Sequence, residues 1–194
     1  MNIINPESCQ DKTDEELAGL IKENTEYFVC LMRRYEKRLL LYLRRLVGFQ
    51  NNEIEDILQE AFIKIFYNIA DFDCRLRFSS WAYRIVHNEA IDFLRKRKKE
   101  ISADFSAAEW QNLKSEINWQ QTLEQKFDHE YVAILLNKLK PKYRDVLVLK
   151  FQEDHDYAEI SDILQKPPGT VATLINRAKK KLKEELEKNN FTKV

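Results

Sequence analysis

Two adjoining stretches between Glu53 and Lys99 limit what this chain can become more than any other feature. In the first, Ile54, Ile57, Leu58, Ala61, Phe62, Ile65, Phe66 and Ile69 recur at i, i+3, i+4, i+7 spacing. Residues so spaced share one stripe of an α-helix. The other face carries Glu53, Glu55, Asp56, Gln59 and Glu60 and is acidic. Asn52 is placed to cap this helix, with Glu55 reaching back three residues on. Asp71 and Asp73 lie where the pattern stops. The second stretch opens at Ser79, a good N-cap residue, and Ala82, Ile85, Val86, Ala90, Ile91 and Leu94 form its stripe. Phe78, Trp81 and Tyr83 crowd its start, and Arg95 to Lys99 are all basic. An acidic helix therefore precedes one that starts aromatic and ends basic. Two plain core helices explain the stripes but leave the aromatic cluster and the two charged faces without a reason.

The remainder reads as helix too. Glycine occurs only at positions 19, 48 and 169, helix formers dominate, and alternating β-branched runs are nearly absent. The fold class expected is all-α. Residues 1–12 read as a flexible leader. Thr13 and Glu16 make a capping box for a first helix facing inward through Leu17, Leu20 and Ile21. A longer helix follows on Phe28, Leu31, Met32, Tyr35, Leu39, Leu43 and Leu46, with Gly48 as its stop. Residues 100–125 are polar and mildly acidic, with isolated Phe105, Trp110 and Trp119 and no sustained stripe, so they read as a linker. Periodicity returns near Lys126, through Tyr131, Val132, Leu135, Leu136 and Leu139. Pro141 sits at the start of a next helix, as its fixed φ and missing N–H favour. Asp156 opens a third helix with Glu159 in capping-box position. Gln165 to Gly169 then form a turn, and Thr170 opens a last helix on Val171, Leu174, Ile175, Ala178 and Leu182. A short helix, a tight turn and a second helix ending basic is a helix-turn-helix pattern. Two helical domains, 13–99 and 126–188, are expected on either side of the linker, with 189–194 as a tail.

Charge sharpens the functional reading. The formal net charge is zero, but Arg95 to Lys99 form one basic block and Arg177, Lys179, Lys180, Lys181 and Lys183 another. Acidic residues gather at Glu53 to Glu60 and between Asp104 and Glu130. Separated poles in a neutral sum suit a protein that meets two partners of opposite charge. Cys9, Cys30 and Cys74 are few, distant and odd in number, which suggests free thiols in a reducing, cytoplasmic setting rather than a zinc site or a disulfide framework. No signal-peptide pattern and no apolar run of membrane-spanning length is present, so no membrane insertion is expected. His87, His129 and His155 belong to no E-x-x-H, H-E-x-x-H, P-loop or G-x-S-x-G pattern. No catalytic residue, metal, cofactor or small-molecule substrate is expected.

DILQEAFIKIF, followed by F-S-S-W-A-Y-R-I-x-x-N-x-x-x-D-x-x-R, resembles region two of bacterial sigma factors of the extracytoplasmic-function type. LKPKYRDVLVLKFQEDHDYAEISDIL and GTVATLINRAKKKLKEEL resemble region four of the same family. The resemblance covers about Thr13 to Lys188. It implies a transcription initiation factor that binds core RNA polymerase, directs it to promoters and helps melt the start region, while the polymerase does the chemistry. Asp56, Gln59 and Glu60, with Phe62 as apolar anchor, would dock on the β′ clamp helices, and region four on the β flap. Phe78, Trp81 and Tyr83 would hold melted single strands by stacking, worth roughly 1–3 kcal/mol per base. Asn88, Asp92 and Arg95 share one helical face, which would read the minus-ten element, though pairing with a nearby arginine is an equal reading of Asp92. Lys166, Thr170, Thr173, Arg177, Lys180 and Lys181 would meet duplex DNA at the minus-thirty-five element. The linker would thread a cleft of the polymerase, a mobile tether whose aromatics pack locally being an equal reading of its residues, and an anti-sigma factor is an implied partner. For Phe62 and Trp81 core packing is an equal or stronger reading of the residue itself.

One alternative is a helix-turn-helix regulator acting on duplex DNA without polymerase, which has no use for an acidic docking face or stacking aromatics. Another is a helical adaptor that never touches DNA, which has no use for two basic blocks. The recognition helix departs from the family's GTVxSR-like run. It reads Gly169-Thr170-Val171-Ala172-Thr173-Leu174, so Ala172 and Leu174 can contact only a thymine methyl and Arg177 is left as the main base-reading candidate.

Overall fold

The computed structural model describes residues 9–47, 53–104 and 129–188. All regular elements among them are helical. They are α1 (Asp14–Ile21), α2 (Phe28–Val47), α3 (Ile54–Asn68), α4 (Phe78–Asp104), α5 (His129–Lys138), α6 (Pro141–Leu147), α7 (Tyr157–Leu164) and α8 (Pro168–Lys188). Short 3₁₀ turns lie at Thr25–Tyr27 and Ile69–Asp71, and Val148–Gln152 is π-helical.

Local signals explain most helix starts. Thr13 accepts from the Glu16 amide while Glu16 accepts from the Thr13 amide, and Asp156 and Glu159 repeat this at α7. Pro141 is the first residue of α6. The turn before α8 is sharp because Gln165 adopts the left-handed conformation at φ 51°. There α8 begins at Pro168, two residues before Thr170, since proline is tolerated in a first helical turn.

Other boundaries also differ from the sequence reading or lie outside the described residues. Ser79 does not cap α4. The helix begins at Phe78, and a distant carboxylate substitutes for the cap: the Phe78 amide donates to Glu15 Oε1 of α1 at 2.9 Å. Asn52 and Gly48 lie outside the described residues, and α3 starts after Glu53 without a side-chain cap. At the start of the expected linker, α4 continues to Asp104, and residues 105–128 lie outside the described set. Residues 1–8 and 189–194 also lie outside it. The end of the expected leader is not loose: Cys9 is buried and disulfide-bonded to Cys30 of α2, with Cα atoms 6.1 Å apart. That corrects the expectation of three free thiols. Cys74 is free and exposed.

Helices α1 to α4 enclose one core. Leu31, Tyr35, Leu39, Leu43 and Leu46 of α2 meet Ile57, Leu58, Ala61 and Ile65 of α3, and Phe78, Ala82, Val86 and Ala90 of α4. Its aromatic corner is Tyr35, Phe72, Phe78 and Trp81, with ring centroids 5.1–5.7 Å apart. Helices α5 to α8 pack through Leu136, Leu139, Val146, Leu149, Ile160, Ile163, Val171 and Ile175, which are continuous with that core.

The two halves pack on each other, mainly α4 against α7. Glu153, just past the π-helical segment, accepts from Tyr83 of α4 at 2.7 Å and pairs with Arg45 of α2. Arg45 also donates to the Gln152 carbonyl at 3.2 Å. The Tyr83 ring meets His155 edge to face at 4.6 Å, and Arg77 pairs with Glu159 at 2.6 Å. An aromatic pair of this kind adds about 0.5–1.5 kcal/mol beyond its buried area.

Candidate functional site

The face of α3 turned from the core carries Asp56, Gln59 and Glu60, all exposed. The same face continues one and two turns on into Ile63, 48% exposed, and Tyr67, 76% exposed. Phe62 is not part of it. It is buried and meets Phe28 edge to face, with centroids 6.4 Å apart, so it is a core residue and not a docking anchor. The exposed apolar residues beside the acidic ones are Ile63 and Tyr67, with Phe66 at the margin packed on Phe28. Sequence reasoning missed Ile63 and Tyr67. Continuing the spacing from Asp56 through Glu60 on the polar face finds them.

A cleft of about 370 Å³ opens where the end of α3 meets the start of α4, lined by Lys64, Asn68, Asp71, Trp81, Ile85, Asn88 and Glu89. An ion pair of 2.5 Å between Lys64 and Glu89 ties its two walls together. Trp81 packs one side of its indole on Phe72 and Phe78 while contributing to the wall. Its companions are placed elsewhere: Phe78 is 1% exposed and Tyr83 is fully buried. Neither ring offers a face to a base in this arrangement, which corrects their reading as stacking platforms. Tyr83 serves the contact between the halves instead. Burial beside Glu153 pushes its phenol well above the usual range.

Asn88, Asp92 and Arg95 do share one exposed face of α4. Asp92 pairs with Arg95 at 3.3 Å. This face also borders a second cleft, of about 470 Å³, whose far wall is Lys142, Asp145, Leu164 and Lys166. His87 lines it too, with Nδ1 3.0 Å from the Tyr42 hydroxyl. Burial holds His87 down at about 4, so it is neutral at pH 7, and pushes Asp145 up to about 6.

On α8, Thr170, Thr173, Arg177, Lys180 and Lys181 are exposed, as is Lys166 in the turn before it. The Thr173 hydroxyl donates to the Gly169 carbonyl at 2.8 Å, leaving it only an acceptor for a base. Leu174 is half-buried and packed against the core, whereas Arg177 projects from the exposed face. Lys181 pairs with Glu184 at 2.6 Å.

The chain therefore has an acidic–apolar helix face, a polar cleft with one indole wall, and a basic helix-turn-helix. Comparison with known proteins matches these parts in the same order. The family model for sigma-70 region 2 matches residues 31–100, and that for sigma-70 region 4 matches 129–182. The extracytoplasmic-function sigma factor SigW of Bacillus subtilis is 34% identical over 175 residues, covering 85% of this chain and 91% of the relative. The sigma-E factor of Escherichia coli strain K12 is 27% identical over 183 residues, covering 90% and 95%. Among solved structures, CnrH in complex with the cytosolic domain of CnrY has a TM-score of 0.68 at 24% identity, covering 91% of this chain and 99% of that one. The sigma factor RpoE from Bartonella quintana, in complex with the anti-sigma factor NepR, has a TM-score of 0.66 at 20% identity, covering 82% and 96%.

The chain belongs to the sigma-70 family of RNA polymerase sigma factors, in its extracytoplasmic-function branch. It is a promoter-specific initiation factor that binds RNA polymerase, and the family is not one of enzymes. None of its described helices is long and apolar enough to cross a membrane.

Proposed function

We propose a division of labour among these surfaces. Asp56, Gln59, Glu60, Ile63 and Tyr67 dock on the β′ clamp helices of core polymerase, since an acidic row running into two exposed apolar side chains gives steering and an anchor together. The cleft walled by Trp81 takes one base flipped from the minus-ten element. The observation that carries this is the pairing of an aromatic wall with amides at Asn68 and Asn88, which suits a base's π-face and its hydrogen-bonding edge. Asn88, Asp92 and Arg95 read the neighbouring positions, and Thr170, Thr173, Arg177 and Lys180 meet the minus-thirty-five duplex. Region four also meets the β flap. The protein forms no covalent bonds in this work, acts in the cytoplasm, and is held in check by an anti-sigma factor, as the family resemblance implies.

The packed halves are a resting form. Elements named minus ten and minus thirty-five lie about 25 base pairs apart, roughly 85 Å of B-form duplex. With α4 and α7 in direct contact, one molecule cannot read both. The chain from Asp104 to His129 reaches at most roughly 85 Å when extended, enough to let the halves part.

Trp81→Ala tests the cleft. Holoenzyme carrying it is expected to bind promoter duplex normally but to open it poorly, seen as weakened permanganate reactivity of the start region. Normal opening would remove Trp81 from the site.

A further inference from the structure

The pair Cys9–Cys30 lies outside the docking and DNA-reading residues of the function proposed above. A factor that works on the chromosome works among thiol reductants, where disulfides are transient and redox-active rather than permanent staples. The surroundings of this pair fit such a role. Both residues are buried, at 5% and 8% exposed, yet Cys9 sits in a surface turn bounded by exposed Gln10 and Asp11. That turn is held by contacts that do not need the covalent bond. Arg34 of α2 donates to the Cys9 carbonyl and pairs with Asp14 at 2.6 Å, the Tyr35 hydroxyl donates to Asp14 at 2.5 Å, and the Lys12 amide donates to the Cys9 carbonyl at 3.3 Å. Reduced thiols would therefore stay side by side, ready to close again.

We propose that Cys9 and Cys30 form a reversible dithiol–disulfide site whose oxidant is a hydroperoxide, with Cys9 the attacking thiol and Cys30 the resolving one. A small oxidant suits a sulfur this enclosed. The Cys9 thiolate attacks one peroxide oxygen. An S–O bond forms, the O–O bond breaks, and the leaving hydroxide takes the thiol's proton as water. Cys30 sulfur then attacks the Cys9 sulfenic acid. The S–S bond forms, the S–O bond breaks, and hydroxide leaves with the Cys30 proton as a second water. Two electrons pass from the sulfurs to the peroxide, and a dithiol reductant reverses the change.

The bond closes a loop containing α1, and α1 carries the Glu15 carboxylate that receives the first amide of α4. Oxidation thus fastens the helix that holds the start of α4, next to Trp81. Reduction leaves α1 secured only by its packing and the Arg34–Asp14–Tyr35 contacts.

The test uses the full reduced chain titrated with hydrogen peroxide, alkylated and peptide-mapped. The expected product at low dose is the Cys9–Cys30 peptide lighter by two hydrogens, with Cys74 still alkylated and both thiols restored by dithiothreitol. Amide exchange in α1 should slow by about tenfold or more on oxidation. In Cys30→Ser, dimedone should label Cys9. If that variant does not fold, the wild-type mapping and exchange decide alone. Oxidation of Cys74 or cross-linking between chains while Cys9 and Cys30 remain alkylated would overturn the proposal. So would a disulfide that leaves α1 exchange unchanged or resists dithiothreitol.

Discussion

Region two and region four bury polar groups in opposite ways. Region two closes on aromatic and aliphatic side chains, and its buried His87 finds the Tyr42 hydroxyl within its own helices. Region four buries Asp145 and His155 and half-buries Arg144 and Gln152 close to the contact with region two. Arg144 Nε, Asp145 Oδ1, Gln152 Oε1 and His155 Nε2 find no protein hydrogen-bond partner there. In region two only Ser80 Oγ is in that state among the described residues. A buried polar atom without a partner costs about 1–3 kcal/mol. Region two leaves one such atom, whereas region four carries a polar face toward its neighbour that the contact satisfies incompletely. Arg144 Nε and Asp145 Oδ1 face each other at 3.9 Å, an ion pair without a hydrogen bond.

The largest effect expected falls on region two alone. Reversing Asp56 and Glu60 together to Lys puts like charge on the docking face, costing several kcal/mol and weakening core-polymerase binding on the order of a hundredfold. The helical circular-dichroism signal should be unchanged, because both side chains are exposed. Wild-type affinity in the double variant would end the docking assignment.

Next comes the contact itself. Glu153→Ala leaves Arg45 and Tyr83 without their shared acceptor and should weaken the packing of the halves by about 2–4 kcal/mol. Solution scattering would then report a larger radius of gyration, while holoenzyme transcription stays at or above the wild-type level. An unchanged radius would show that region four is held by its apolar contacts instead.

Acid separates the regions in sign. His87 is held at about 4 against an ordinary 6.5, so the folded state resists its protonation. Its neutral form contributes stability that is full above pH 6.5 and lost as pH falls toward 4, up to about 3 kcal/mol. Asp145, raised to about 6 from 3.8, runs the other way: its contribution is full below pH 3.8 and lost as pH rises through 6. Thermal melts from pH 7 to 5 should show the wild type losing stability and His87→Gln losing less. Parallel profiles would show that another group governs the acid response.

The smallest effects lie on α8. Arg177→Ala should cost about 1–3 kcal/mol in holoenzyme binding and relax one base position, measured on a library randomised across the upstream element. Lys180→Ala should weaken all sequences alike and lower the salt slope by about one. Equal loss on every sequence for Arg177→Ala would make it a phosphate contact.

What the sequence determined alone is what neighbours along the chain decide. The stripes of α2 and α3, the capping boxes at Thr13 and Asp156, the proline start of α6 and the turn before α8 need only residues within one helical turn of each other, so periodicity and cap chemistry reveal them. The family was legible for the same reason: its motifs are local runs. Which face of an aromatic-rich helix meets a neighbour is not local. Phe78, Trp81 and Tyr83 sit within six residues, yet the first is core, the second walls a cleft and the third joins region four through Glu153, seventy positions away. A helical wheel gives a side chain's angle about its own axis, but not what covers that angle. Phe62 became core and Ile63 surface because Phe28 lies over one and solvent over the other. Cys9 found Cys30 because Arg34 and Asp14 draw the first turn onto α2. These outcomes depend on contacts between segments far apart in the chain, and only the packed structure selects among them.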